Sequence, residues 1–169
     1  MQVFECRLAV DDLDAFVAEL GEIGDRTDTT IQAFDARYVA DRRHLERAVE
    51  LADRAIERGE NVARDRGVEI LLYAAGRRQI DRALEMGVTE GETRAVVLVA
   101  AEGESGDEPA ALEALADRDA VVAREPTLES VDEETLCEFF EITDAERAAT
   151  DAPLGALVRE RVALLEVEK

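Results

Sequence analysis

The sequence predicts a single α/β domain of the α+β kind, a small mixed sheet packed by several helices, and three segments carry that prediction. Phe4, Cys6, Leu8 and Val10 alternate with Glu5, Arg7 and Ala9, the period-two pattern of a strand with one buried face. Between Asp41 and Arg58 the apolar residues Leu45, Ala48, Val49, Ala52, Ala55 and Ile56 fall on one stripe, as in an amphipathic helix. Ala95 to Ala101, reading AVVLVAA, is rich in β-branched residues and wholly apolar, which fits a central strand covered on both faces. With 169 residues and 47% hydrophobic content, one domain spanning 1-169 can bury about two-thirds of the surface its unfolded chain exposes.

The remaining elements follow in chain order. Asp11 or Asp12 can cap a helix carrying Leu13, Phe16, Val17 and Leu20, which Gly21 and Gly24 are expected to break. Asp25 to Thr30 is polar and turn-like, and Ile31-Gln32-Ala33-Phe34-Asp35-Ala36 suits a short strand pairing near the first. In the helix from Asp41 to Arg58, Glu50 and Arg54 support the exposed side at i, i+4. Val68 to Ala75 fits a buried strand or a buried helix by periodicity, and its Leu and Ala content favours the helix. After Gly76, Arg78 to Met86 places Ile80, Ala83 and Leu84 on one face before a cap at Gly87.

Beyond the central strand, Gly103 to Asp107 reads as an acidic loop, Pro109 to Ala116 as a short helix and Val121-Val122-Ala123 as a further strand. The rest is mainly helical. Ser130 with Glu133 and Thr143 with Glu146 have capping-box spacing, and Pro153 suits the first turn of a last helix with Leu154, Leu157, Val158 and Val162. Leu164 to Val167 fits a continuation of that helix, a strand or a tail.

Charge is the most unusual feature, because 41 acidic residues oppose 20 basic ones for a net charge of −21, and Lys169 is the single lysine. In dilute salt such an excess repels itself. At about 1 M ionic strength the Debye length falls to about 3 Å and the repulsion is screened. The acidic residues are interleaved with apolar ones along the whole chain, which argues against a disordered acidic tail. The composition resembles that of proteins from salt-accumulating archaea. No stretch approaches the length of a membrane span and the start lacks the features of a signal peptide, so a cytoplasmic protein without membrane contact is expected. Cys6 and Cys137 are far apart and lack zinc-ligand neighbours, and two free buried thiols are expected.

No catalytic set, cofactor fingerprint or metal site is legible. The single histidine, His44, has no Ser or Cys nucleophile near it in sequence and reads as part of a solvated helix face. The glycines around Gly21 and Gly103 lack the spacing of a phosphate loop, and paired carboxylates carry no information in so acidic a chain. Arginine placement remains. Arg42 with Arg43 and Arg64 with Arg66 fit surface ion pairs. Arg77 and Arg78 follow Gly76 at an expected helix start, where positive charge opposes the helix dipole, and that broken rule points to anion recognition. Guanidinium groups bind phosphate or stack on bases, so nucleic acid and a small anionic metabolite held by Arg77/Arg78 are both open.

The strand-like IQAFDA of residues 31-36, the helix from Leu45 to Ile56 and the segment Glu69 to Ile80, EILLYAAGRRQI, together resemble a known family. It is the family of the small kinase-binding regulatory subunit of the KEOPS (EKC) complex, the PRPK-binding protein (TPRKB) family, and the similarity runs from about Val3 to Leu165. The resemblance implies a non-enzymatic regulator in the complex that installs threonylcarbamoyladenosine in tRNA. The implied partners are the complex's small kinase/ATPase subunit and the tRNA 3′ CCA end, without DNA. Carried onto this sequence, it offers Arg77, Arg78 and Gln79 as tRNA-binding residues and Leu71, Leu72 and Ile80 as the partner interface. The segment from Gly103 to Pro126 matches least clearly.

A chain at −21 repels phosphate, and at molar salt counterion release contributes little affinity. Any RNA contact must therefore rest on base stacking, hydrogen bonds to base edges and a few arginines. Such contacts suit an unpaired 3′ tail better than a duplex.

Overall fold

The computed structural model describes residues 1–168. The chain divides into two compact units, Met1–Ala36 with Gly87–Glu129, and Arg37–Met86 with the chain from Ser130 on.

The first unit is a four-stranded sheet with two helices. Its elements are β1 (Gln2–Val10), α1 (Leu13–Thr27), β2 (Thr29–Asp35), β3 (Gly91–Ala101), α5 (Glu108–Ala116) and β4 (Val121–Arg124). The strand order is β2-β3-β1-β4. Every pairing is antiparallel, where a mixed sheet was expected, and β2 pairs with β3, not with β1. Phe4, Cys6, Leu8 and Val10 all point into the core, against Ala95, Val97 and Val99 of β3 and Phe16, Leu20 and Ile23 of α1. The expected alternation is therefore met in full, as is the central place of β3, whose intervening Val96, Leu98 and Ala100 are also buried. Burial pushes the Cys6 thiol up to about 12.

Helix α1 departs from expectation at its glycines. Asp12 caps it, its carboxylate accepting from the Ala15 N–H at 3.2 Å. The helix then runs through Gly21 and Gly24 to Thr27. Gly24 is buried against the Thr29 carbonyl, and a Cβ at that position would lie 2.6 Å from the oxygen. This glycine lets β2 pass close by the helix. It does not end it. Ile23 joins the core and Val17, expected on the apolar face, is exposed.

The second unit is helical: a 3-10 turn at Ala36–Tyr38 leads into α2 (Arg42–Glu57), α3 (Arg66–Ala75), α4 (Ile80–Ala83), α6 (Glu133–Phe139), α7 (Asp144–Ala148) and α8 (Leu154–Glu168). Helix α2 packs on α3 and α8 through Leu45, Ala48, Leu51, Ala52 and Ala55, a face rotated from the expected one so that Ile56 is exposed. Glu50 and Arg54 pair at 3.1 Å as expected, and Arg42 pairs with Glu46 at 2.8 Å. Arg66 grips Asp53 through two bonds of 2.7 and 2.9 Å. In α3 the helical reading holds, and the carboxylate of the fully buried Glu69 accepts the Val62 and Ala63 N–H groups at 2.9 and 3.0 Å. Leu164 to Val167 continue α8 as helix.

Capping is correct at Thr143, whose hydroxyl accepts the Glu146 N–H. At α6 it is Asp132, not Ser130, that caps, taking both the Thr135 N–H and its hydroxyl, and these bonds hold the Asp132 carboxyl below the usual carboxylate range. Among the described residues no helix is long and apolar enough to cross a membrane.

Candidate functional site

The helical unit carries a recess of about 500 Å³. Arg37 and Tyr38 come from the 3-10 turn before α2, and Arg77 from the loop after α3. Arg82 and Glu85 lie on and just after α4, and Thr135, Glu138, Phe139 and Glu141 on and just after α6. The Tyr38 and Phe139 rings meet edge to face with centroids 5.2 Å apart. The Arg37 guanidinium lies over the Tyr38 ring at 5.5 Å and that of Arg77 over Phe139 at 5.0 Å. Three arginines and three glutamates share the lining, so the twofold acidic excess of the chain is locally cancelled.

Arg77 is the fixed member of the set. One of its terminal guanidinium nitrogens donates to the Phe139 carbonyl at 2.5 Å, and the other lies 3.9 Å from the Glu141 carboxylate. The following carbonyls, Phe140 and Glu141, accept from Arg161 of α8 at 3.1 and 3.2 Å. Two arginines thus close the C-terminal end of α6, where free carbonyls and the helix dipole both favour positive charge. Arg161 also grips Glu146 through two bonds of 2.9 and 2.5 Å, which lowers the Glu146 carboxyl and raises the Arg161 guanidinium. The arginine that looked misplaced at the start of α4 is placed for the end of α6.

The other sequence-predicted residues separate by burial. Gly76 takes the left-handed conformation at φ +62° and ends α3. Arg78 and Gln79 beyond it are exposed, and Gln79 stands at the N-cap position of α4. Ile80 is 44% exposed and Leu84 56%, so they do not form the expected buried face, which belongs to Ala83 and Met86. Leu71 and Leu72 are 1% and 0% exposed: they are core residues of α3, and their side chains offer a partner no surface. Arg37, Tyr38, Arg82 and Phe139 were not singled out from sequence. The arginines at 37 and 77, each beside or across from an aromatic, carry only a weak signal until the chain is folded.

His44 is not on a solvated face. It is fully buried in the first turn of α2. Its Nδ1 accepts the Ala40 N–H at 3.1 Å, which leaves Nε2 protonated to donate to the Ala74 carbonyl at 2.7 Å. Its ring meets Phe140 edge-on at 5.6 Å. Burial drives its pKa down to about 4, partly opposed by the Ala74 carbonyl and the Asp41 carboxylate, so the neutral imidazole is a structural clip at neutral pH. Cys137 is half-buried, not fully buried as expected. Among the described residues no three His, Cys, Asp or Glu side chains gather in a way that could hold a metal ion.

Fold and site together describe an α+β protein whose helical unit bears a recess of mixed charge walled by two aromatic rings, an arrangement suited to binding a planar, charged ligand. The chain belongs to the family described as kinase binding protein CGI-121, which matches residues 10–166, through both units. No curated protein matches its sequence.

Proposed function

We propose that this chain is a non-catalytic regulatory subunit of the KEOPS complex, supporting threonylcarbamoyladenosine modification of tRNA in a cytoplasm of high salt. It binds the complex's kinase/ATPase subunit and the tRNA 3′ CCA end, and its two units act as one domain of residues 1–169. The observation that carries this reading is the match to a kinase-binding family along residues 10–166. The exposed Ile80 and Leu84 supply an apolar patch for the kinase, ringed by Arg78, Asp81 and Glu85, the arrangement of an interface core and rim. Arg77 lines the recess, the exposed Arg78 and Gln79 follow it in the chain, and the three are the residues proposed to face the tRNA tail.

Co-purification with the kinase subunit from the same organism in about 1 M KCl, where charge repulsion is screened, tests the partner. Capture of the kinase by the wild-type chain, reduced at least about tenfold by Ile80→Asp, is expected, since a charge in an interface core costs well over 1.4 kcal/mol. No capture by the wild-type chain overturns the reading. The acidic surface supports the high-salt assignment, and an unfolding midpoint that rises with KCl is its test; a midpoint indifferent to KCl sinks it.

A further inference from the structure

Taking the Ile80 and Leu84 kinase patch as given, we propose that Arg77 is a positioning residue for kinase binding: through the Phe139 carbonyl it holds the short helix that carries the patch in its docking position, without touching the kinase. Helix α4 runs from Ile80 to Ala83 and continues as a 3-10 turn over Leu84–Met86. A single turn of helix does not hold itself in water, because nucleation costs more than its few hydrogen bonds return. Gln79 at the N-cap position makes no side-chain capping bond. Ala83 and Met86 are the buried side chains of the segment, while Ile80, Asp81, Arg82, Leu84 and Glu85 are exposed. Burial therefore anchors the segment at its C-terminal end, and its N-terminal end depends on the loop that enters it.

That loop is held from several sides. Gly76 ends α3 in the left-handed conformation, and the Arg77 N–H donates to the Leu72 carbonyl at 3.1 Å. A Cβ on Gly76 would lie 3.2 Å from the Arg161 carbonyl oxygen, so α8 backs the loop closely. The Arg77 guanidinium then crosses to the end of α6, donating to the Phe139 carbonyl at 2.5 Å and lying over the Phe139 ring at 5.0 Å. The anchor is itself firm. Phe139 and Phe140 are buried, their rings meet edge to face at 5.0 Å, and Arg161 takes the next two carbonyls. The Arg77 side chain is 20% exposed, turned into the protein, whereas Ile80 and Leu84 face outward. Arg77 thus acts on a docking kinase through the position of α4. With its donor lost, α4 samples other positions, and the apparent affinity falls with the fraction of chains whose patch is in place. A loss of this kind slows association, whereas loss of a direct contact speeds dissociation.

The test measures association and dissociation rates of the full chain with the kinase subunit from the same organism in about 1 M KCl, where charge repulsion is screened, together with hydrogen exchange of the chain alone. Arg77→Met keeps an apolar stem over the Phe139 ring and removes the donor. It is expected to bind the kinase at least about tenfold more weakly, mainly through slower association, the loss of one charge-assisted hydrogen bond being enough for that ratio. Exchange should quicken at the Ala83 and Leu84 amides, which donate to the Gln79 and Ile80 carbonyls. Arg77→Lys restores a donor and a positive charge at the end of α6 and is expected to stay within roughly threefold of the wild type. Circular dichroism and the urea midpoint in the same salt confirm that each variant is folded. The wild-type chain supplies a measurement that needs no variant: its Ala83 and Leu84 amides are expected to exchange at least about tenfold more slowly than an open loop, and exchange at the open-loop rate overturns the inference. Unchanged kinase binding by Arg77→Met, a loss carried by faster dissociation with exchange in α4 unaltered, or an Arg77→Lys chain as weak as Arg77→Met overturns it too and leaves the kinase reading standing. No kinase binding by the wild-type chain overturns both.

Discussion

Acidification from about pH 7.5 to about pH 5 should destabilise the chain through His44 before most carboxylates titrate, because the unfolded imidazole takes up a proton that the folded one refuses. The folded pKa is about 4, against about 6.5 in an unfolded chain. A base whose pKa is depressed by folding contributes stability that is fully present above about 6.5 and is lost as the pH falls toward 4. The whole shift corresponds to roughly 3.4 kcal/mol, of which about 2 kcal/mol is already gone at about pH 5. Because the cause is burial, salt should leave the effect in place.

The assay is the urea unfolding midpoint at constant KCl across that range, in the wild type and in His44→Asn. The Asn carbonyl can still accept the Ala40 N–H, while the Ala74 carbonyl loses its donor, at an expected cost of about 1–3 kcal/mol at neutral pH. That variant should show a flatter profile between about pH 5 and pH 7 by about 2 kcal/mol. Identical pH profiles for the two proteins would refute the argument that His44 is a buried neutral clip.

Three further outcomes follow from single contacts. Gly24→Ala puts a Cβ 2.6 Å from the Thr29 carbonyl oxygen and should cost about 1–3 kcal/mol in denaturant unfolding, whereas Gly21→Ala, with open space at its Cβ, should be neutral or stabilising. Glu69→Ala strands the Val62 and Ala63 N–H groups and should cost about 2–3 kcal/mol, with faster hydrogen exchange confined first to that loop. Of the two thiols, Cys137 should react with a thiol reagent at about pH 8 in the native protein, and Cys6, buried and with its pKa at about 12, only on unfolding; equal rates would contradict the packing of β1.

The sequence by itself determined the elements whose cause is local. Alternation over Phe4 to Val10, the apolar run of Ala95 to Ala101 and the caps at Asp12 and Thr143 each involve residues within a few positions of one another, so the pattern and its structural result lie on the same stretch of chain. The match to a kinase-binding family was legible in the same way, from the segments around residues 31-36 and 69-80.

What only the tertiary structure decided depends on which element arrives opposite. Gly24 reads as a helix end in sequence, but β2 crosses it closely, and β2 pairs with β3 across more than fifty intervening residues. His44, Leu71 and Leu72 have sequence neighbours that allow exposure; α3, α8 and the end of α6 bury them. Arg77 reads in sequence against the helix that follows it, but its guanidinium serves the Phe139 carbonyl, over sixty residues later. The recess itself joins Arg37 and Tyr38 to Phe139 across a hundred positions. Local periodicity fixes which backbone hydrogen bonds form, whereas burial and electrostatic partnership are set by packing between distant segments, and no window of the sequence contains both sides of such a contact.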